Sequence, residues 1–190
     1  FGYAHVPWVA RRQKMIDGAA LPGAAERLEQ AGRAAAALEA GGMVPVGMDH
    51  FAAPGDALAR AAASGRLRRN FQGYTTDGAT TLIGFGATSI GRTPSGYMQN
   101  IAETGAWARA VREGRFATAK GIALTQGDKV RGAAIEELMC FGATDTLALA
   151  RQFGVGTGWA REAAEFLRPL EADGLVSIDE GRIAVTAEGR

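Results

Sequence analysis

Glycine constrains the fold of this chain more than any other residue type. Twenty-seven of the 190 residues are glycine, which is about twice the ordinary share. Many of them interrupt or end apolar runs, where a backbone turns tightly or approaches another group closely. We therefore predict short strands and helices, in a chain long enough for one large domain or two small ones.

The first half of the sequence predicts alternating strands and helices, an α/β pattern. The predicted strands are residues 1–6, 43–48, 67–74 and 82–87, and the predicted helices are residues 21–40 and 56–64. Strand–helix–strand order with short connections favours a parallel, layered sheet. Pro45 fits such a sheet poorly, because proline cannot donate to a hydrogen-bond ladder.

The composition changes at residues 91–96, which are typical of a loop, and the rest of the chain is predicted to be mostly helical. Apolar spacing predicts helices within residues 101–113, 145–153 and 159–173, and a further helix after a capping box formed by Thr125 and Asp128. Val130, Ile135, Leu138 and Met139 are predicted to face inward from that helix. Residues 175–178 and 182–185 predict a hairpin. Helices followed by a hairpin indicate a winged-helix arrangement, so we predict two domains, residues 1–92 and 93–190.

Charge and cysteine content argue against several classes of function. The net charge is +1, so neither a nucleic-acid partner nor a membrane surface is indicated. No apolar run is long enough to span a bilayer. Cys140, the single cysteine, can form no internal disulfide and cannot hold an iron–sulfur cluster alone. We expect a cytoplasmic protein. Because the sequence starts at Phe1 and stops in what resembles the first turn of a helix, we also expect both ends to be cuts through a longer protein.

Residues 68–76 are the most informative segment for function. Asn70, Phe71, Gln72 and Gly73 place two amides, an aromatic ring and a glycine together at a predicted strand end. Such a set can hydrogen-bond the edge of a purine, stack on its face and allow the backbone to come close. The alternative interpretation is an edge strand whose polar residues face water.

Other candidate residues are less specific. Residues 84–91 contain Gly-x-Gly with no third glycine in the dinucleotide position, so close backbone packing is an alternative to phosphate binding. Asp49 and His50 could support proton transfer, although neighbouring strand residues point to opposite faces and His50 could instead cap a strand end. Two histidines, His5 and His50, make no zinc site with the one cysteine, and Cys140 is predicted to be a buried helix residue.

Several of these segments together resemble one family. The strings at residues 3–7, 47–52 and 69–76 resemble, in order and spacing, the oxygen-independent coproporphyrinogen III oxidases, a radical S-adenosylmethionine (SAM) family. Residues 84–91 and 173–176 also match. The resemblance implies oxidative decarboxylation of two propionates of coproporphyrinogen III to vinyl groups, giving protoporphyrinogen IX. In that family a [4Fe–4S] cluster on a three-cysteine loop cleaves SAM.

The resemblance also implies a fold and a set of binding residues. The chain would be the last part of a partial (β/α) TIM-like barrel, followed by a winged-helix-like domain, with ligands at the carboxyl ends of the barrel strands. Ala4, Phe71, Gln72 and Ile90 would help to hold SAM. The cluster ligands would lie outside this chain, which would hold no metal, supply no catalytic residue and be inactive alone. The full-length protein would be a monomer.

Two other functions remain open at this stage. The first is a winged-helix nucleic-acid-binding protein that reads DNA with its helix at residues 159–170. Arg161 and Arg168 are balanced there by Glu162 and Glu165, whereas a phosphate-contacting face should be basic. The second is a cluster-less relative that binds porphyrin or haem without catalysis.

Overall fold

The computed structural model describes residues 4–189, which form a mixed α/β fold. The α-helices are α1 (Ala24–Ala40), α2 (Ala57–Ala63), α3 (Thr104–Arg112), α4 (Gln126–Phe141), α5 (Thr146–Phe153) and α6 (Gly158–Ala172). The strands are β1 (Val44–Val46), β2 (His50–Ala52), β3 (Arg68–Asn70), β4 (Gly73–Thr75), β5 (Ile90–Thr93), β6 (Gly96–Asn100), β7 (Thr118–Ala123), β8 (Ala143–Asp145), β9 (Val176–Asp179) and β10 (Arg182–Val185). Two 3-10 helices, Arg11–Met15 and Gly18–Ala20, precede α1.

Every strand pair among the described residues is antiparallel, so the predicted parallel sheet is wrong for this part of the chain. The strands β1 and β2 form one hairpin and β3 and β4 another. Two three-stranded sheets follow, in the orders β5–β6–β7 and β8–β10–β9. Tight turns, rather than crossover helices, join the strands of each hairpin, and such turns allow only antiparallel pairing.

Two predicted strands are replaced by other structures. Residues 67–74 form β3 and β4 rather than one strand, because the Asn70 side chain accepts a hydrogen bond from the Gln72 N–H at 2.8 Å and turns the chain. Gly73 completes the turn with φ +129°. In residues 82–87 only Leu82 pairs, in an isolated bridge with Arg92.

Other predictions also needed correction. The predicted loop at residues 91–96 is the hairpin of β5 and β6, and β7 lies in the part of the chain predicted to be mostly helical. Of the first predicted strand, residues 1–3 lie outside the described residues and residues 4–6 form no strand. Ile135, predicted to face inward from α4, is 59% exposed.

The predicted helices of the second half are present, and their caps explain their limits. The Thr125–Asp128 capping box forms, with the Asp128 carboxylate accepting the Thr125 N–H at 2.9 Å. The Asp145 side chain caps α5 through the Ala148 N–H at 2.8 Å. The predicted hairpin forms from β9 and β10, and β8 adds a third strand to it.

Helix α4 contributes to two apolar clusters within residues 4–189. Its residue Cys140 is buried with Val46 of β1, Leu67, and Ala59 and Ala61 of α2. Earlier in the same helix, Val130 and Ala134 pack with Leu149 of α5. The same helix therefore joins the first half of the chain to the second. No helix among residues 4–189 is long and apolar enough to cross a membrane.

We expect Gly47→Ala to destabilise the protein far more than Gly42→Ala. Both glycines have positive φ, +64° at Gly47 and +84° at Gly42, and alanine costs about 1–2 kcal/mol in that region. A Cβ at Gly47 would also overlap the Tyr74 ring, whereas a Cβ at Gly42 meets nothing within 4 Å. Urea unfolding of the native protein should show a loss of roughly 3 kcal/mol or more for G47A. Equal losses for the two variants would contradict this packing.

We expect the buried Cys140 thiol to resist alkylation. Burial, with a smaller contribution from the nearby Glu136 carboxylate, raises the pKa of Cys140 from 9.0 to about 11. Because the thiolate is the reactive species, iodoacetamide at pH 8 should modify the native protein more than about tenfold more slowly than the protein in urea.

The same shift predicts a pH dependence of stability. The unfolded thiol loses its proton near pH 9, whereas the folded thiol keeps its proton until about pH 11. The contribution of Cys140 to stability is therefore complete below pH 9 and is lost as the pH rises to 11. The difference in free energy of unfolding between the native protein and its C140A variant should fall over that range, and a constant difference would contradict the raised pKa.

Candidate binding cleft

One cleft brings together three of the four residues predicted to hold a cofactor. It has a volume of about 280 Å³ and is lined by Asn70, Phe71, Gln72, Leu82, Thr88, Ser89 and Ile90. Phe71 and Gln72 come from the turn between β3 and β4, and Ile90 begins β5. Phe71 and Ile90 are distant in sequence but neighbours here, because the β3–β4 turn and the start of β5 face the same space.

The fourth predicted residue, Ala4, does not line this cleft. It lies in an exposed segment before the first 3-10 helix. The Gln13 side chain holds this segment, since its amide donates to the Ala4 carbonyl at 3.0 Å and its carbonyl accepts the Val6 N–H at 2.6 Å. These two local hydrogen bonds, rather than pairing in a strand, thus hold Ala4 in position.

Aromatic packing positions Phe71 at the mouth of the cleft. Its ring meets the Tyr97 ring of β6 edge to face, with centroids 5.2 Å apart and planes at 73°. Phe71 remains 51% exposed, so most of one face is free to contact a bound group. The Arg92 guanidinium lies 6.0 Å from the centroid of the Tyr97 ring on the same sheet, a cation–π distance.

The opposite wall is a glycine-rich loop that β6 holds in an unusual conformation. Thr88 has φ +64°, which is uncommon for a residue other than glycine. Its N–H donates to the Ile101 carbonyl at 3.1 Å and its carbonyl accepts from the Gln99 amide at 3.1 Å. The Asn100 amide donates to the Gly86 carbonyl at 2.9 Å. These hydrogen bonds hold the loop in one conformation and keep Thr88 at the cleft.

Close packing explains the first glycine of this loop. A Cβ at Gly84 would lie 2.8 Å from the Ser89 Cβ and 2.9 Å from the Ile90 carbonyl oxygen. The Ser89 hydroxyl donates to the Phe85 carbonyl and closes the loop. Of the two interpretations of the Gly-x-Gly pattern, close backbone packing is therefore the one with a direct contact in the structure.

The Asp49 and His50 side chains do pair, contrary to the expectation from strand alternation. The His50 Nδ1 lies 2.9 Å from a carboxylate oxygen of Asp49. Alternation does not apply because Asp49 belongs to the turn before β2, not to the strand itself. The His50 ring also meets the Tyr74 ring edge to face, with centroids 4.9 Å apart. The pair therefore supports the packing of Tyr74.

Helix α4 anchors the hairpin that carries Phe71 and Gln72. The Glu136 carboxylate accepts the Arg69 N–H at 3.2 Å and lies 3.9 Å from the Arg68 guanidinium. The Tyr74 hydroxyl donates to the Met139 carbonyl at 2.9 Å. Sequence reasoning missed Glu136, Tyr97, Gln99 and Asn100, because their roles depend on contacts between segments that are distant in sequence.

A second cleft, of about 240 Å³, lies beside Cys140 and the end of α4. Met48, Met139 and Cys140 are among its lining residues, and the raised pKa of Cys140 keeps the thiol protonated at neutral pH. Residues 4–189 contain no group of three or more His, Cys, Asp or Glu side chains that could hold a metal ion.

Comparisons with known proteins now define the class of protein. Residues 124–190 match the family model of the HemN C-terminal domain. The oxygen-independent coproporphyrinogen III oxidase of Cereibacter sphaeroides (strain ATCC 17025 / ATH 2.4.3) is 46% identical over 100% of this chain and 42% of that protein. The enzyme of the same name from Bradyrhizobium diazoefficiens is 44% identical with the same coverage.

A solved structure agrees with these relatives. Coproporphyrinogen III oxidase (HemN) from Escherichia coli, described as a radical SAM enzyme, matches 99% of this chain and 44% of its own chain with a TM-score of 0.90 and 40% identity. Residues 124–190 are thus similar to the HemN C-terminal domain. The whole chain is similar to part of the oxygen-independent coproporphyrinogen III oxidases, and the resemblance predicted from its motifs is confirmed. The chain spans 42% of the length of the curated relatives described here.

We expect Glu136→Ala to loosen the β3–β4 hairpin, whereas Glu137→Ala should not. Glu136 accepts the Arg69 N–H, but Glu137 accepts the Thr144 hydroxyl of β8 at 2.5 Å. A hydrogen bond to a charged group contributes about 1.5–3 kcal/mol, so amide exchange in residues 68–75 of the native protein should rise roughly tenfold in E136A. Equal exchange in E136A and E137A would show that α4 does not anchor the hairpin.

Proposed function

We propose that the protein containing this chain converts coproporphyrinogen III to protoporphyrinogen IX without oxygen, by oxidative decarboxylation. Relatives named for this activity are similar to the whole of the chain at 40–46% identity. The observation that carries the proposal within the structure is the common cleft of Phe71, Gln72 and Ile90. In this proposal the chain supplies walls for the cofactor and the substrate.

We propose that residues 1–92 are the last part of a TIM-like barrel and residues 93–190 a winged-helix-like domain. In this proposal the antiparallel hairpins β1–β2 and β3–β4 are additions to the parallel strands of the barrel. Helices α4, α5 and α6 together with the β8–β10–β9 sheet, whose strand β8 lies between α4 and α5, support the second assignment. The boundary falls within β5, which pairs with β6. The two proposed domains therefore share one hairpin. The residues that line the cleft all lie in residues 1–92, and Tyr97 and Gln99 of β6 contact Phe71 and Thr88 among them.

The residues of the cleft fit a SAM molecule. Phe71 offers a half-exposed ring for a purine face, Gln72 offers an exposed amide for its edge, and Ile90 offers an apolar wall. Ala4 would contribute a small side chain and its backbone. When bound, SAM supplies the radical that removes a hydrogen atom from a propionate. The role of these residues is to orient that cofactor and to exclude water.

The [4Fe–4S] cluster does not fit the residues described here. Residues 4–189 offer no suitable group of ligands, and Cys140 is buried in an apolar cluster with its pKa raised to about 11. The cluster ligands would lie in a part of the protein outside this chain. We therefore assign no step at the cluster to this chain, and we expect the chain alone to be inactive.

The proposed function carries expectations about partners and location. Coproporphyrinogen III is the proposed substrate, in a cytoplasmic protein that is monomeric at full length. Arg168 of α6 pairs with Glu171 at 2.6 Å, and Glu162 and Glu165 on the same helix balance the charge of Arg161. This pairing favours a structural or lid role for α6 over nucleic-acid recognition.

We expect Phe71→Ala to weaken SAM binding about tenfold or more, because stacking of an aromatic ring on a base contributes about 1–3 kcal/mol. Phe116→Ala is the matched control, since Phe116 is 96% exposed and does not line the cleft. Gln72→Ala should weaken binding severalfold through the lost hydrogen bonds. SAM affinity is measured with the native protein purified without oxygen, together with the conversion of coproporphyrinogen III.

The outcomes of that experiment are distinct. Loss of affinity in F71A but not in F116A supports the assigned cleft. Unchanged affinity in F71A and Q72A would remove both residues from the SAM site. Porphyrin binding without iron and without turnover in the native protein would replace the proposed enzyme with a porphyrin-binding relative.

A further inference from the structure

One face of the β5–β6–β7 sheet extends from the cleft and carries positive charge. Residues directly opposite each other in an antiparallel pair have their side chains on the same face. The register therefore aligns Ile90, Gln99 and Lys120 in one row. It aligns Arg92, Tyr97 and Ile122 in the next row. Because side chains two apart on a strand share a face, both rows lie on one surface, which we call the β5–β7 face.

Residues of this face contact the residues that line the cleft. Ile90 lines the cleft, and the Gln99 amide reaches the Thr88 carbonyl at the loop wall. Phe71 packs on Tyr97 in the second row. The β5–β7 face is thus continuous with the space between Phe71 and Ile90.

The charges of the β5–β7 face have no local counterpart. Arg92 and Lys120 form no ion pair within residues 4–189. The strands β5, β6 and β7 contain no Asp or Glu. Around these two cations the surface is apolar and aromatic, since Ile122 is 62% exposed and Tyr97 is partly exposed. Such a surface suits a ligand with a broad apolar body and separate carboxylates.

The spacing of the two cations is compatible with two separate carboxylates. Arg92 and Lys120 lie two strands apart and two residues apart along the strands. Strand spacing and rise place their Cα atoms about 12 Å apart. Two propionates on different rings of a tetrapyrrole can reach both positions at once.

We propose that the β5–β7 face binds the porphyrinogen substrate, with Arg92 and Lys120 each pairing with a propionate. This inference rests on the proposed function. An ion pair that persists throughout the reaction stabilises the bound substrate and the transition state equally. Loss of such a pair raises KM and leaves kcat nearly unchanged.

The test uses the native protein purified without oxygen, and coproporphyrin III as a stable probe with four carboxylates. We expect the R92Q/K120Q double variant to bind the probe at least tenfold more weakly, as measured by porphyrin fluorescence. R115Q is the matched control, because the Arg115 guanidinium is paired with Glu113 next to the same sheet. R92K and K120R should restore most of the affinity, because they keep the charge.

Further measurements distinguish the carboxylates of the porphyrin from the carboxylate of SAM as the group that the two cations bind. The tetramethyl ester of the probe should bind the native protein weakly, and the double variant should bind the ester no worse. SAM affinity should be unchanged in the double variant, whereas KM for coproporphyrinogen III should rise at least tenfold with kcat within threefold. A loss of SAM affinity instead of probe affinity would assign the cations to SAM and overturn the inference.

Two results distinguish this inference from the proposed function. The inference would be overturned by unchanged probe affinity in the double variant, or by a native protein that does not bind the probe. In either case, the conversion of coproporphyrinogen III by the native protein would still test the proposed function. Probe binding that depends on Arg92 and Lys120, in a native protein that does not oxidise coproporphyrinogen III, would keep the inference and contradict the proposed function.

Discussion

The rest of the structure depends on the Tyr74 hydroxyl, which joins three segments that are distant in sequence. It accepts the Met48 N–H at 2.9 Å and donates to the Met139 carbonyl at 2.9 Å. The turn between β1 and β2, the β3–β4 hairpin and the end of α4 therefore meet at one oxygen atom. Gly47 is required there because any side chain would overlap the Tyr74 ring, and burial raises the pKa of Tyr74 so that the hydroxyl keeps its proton.

This arrangement links the cleft to the second half of the chain. Phe71 and Gln72 lie only a few residues from Tyr74 and are held by the same helix through Glu136. Because a cofactor wall must keep its geometry to bind tightly, the position of α4 matters for the cleft even though α4 does not line it. The HemN C-terminal match begins at residue 124, just before α4, so this domain has a structural reason to accompany the cleft.

The sequence predicted the local features well and the pairing of strands poorly. The Thr125–Asp128 capping box, α6 and the β9–β10 hairpin depend on residues that are close in sequence, and all three are present. The turn at Asn70 was missed because an aromatic residue and an amide at its centre resemble a strand. Strand β7 was missed because its sequence, Thr118–Ala123, lacks alternation and is exposed along its whole length.

The candidate site shows the same division between local and long-range information. Motif resemblance singled out Phe71, Gln72 and Ile90, and the structure brings these three together in one cleft. The residues that position them are Tyr97, Gln99, Asn100 and Glu136. No spacing rule connects Glu136 to Arg69, because the two are joined only after α4 packs against the hairpin. Binding residues are therefore visible in a motif, whereas the residues that position them become visible only when distant segments are placed in contact.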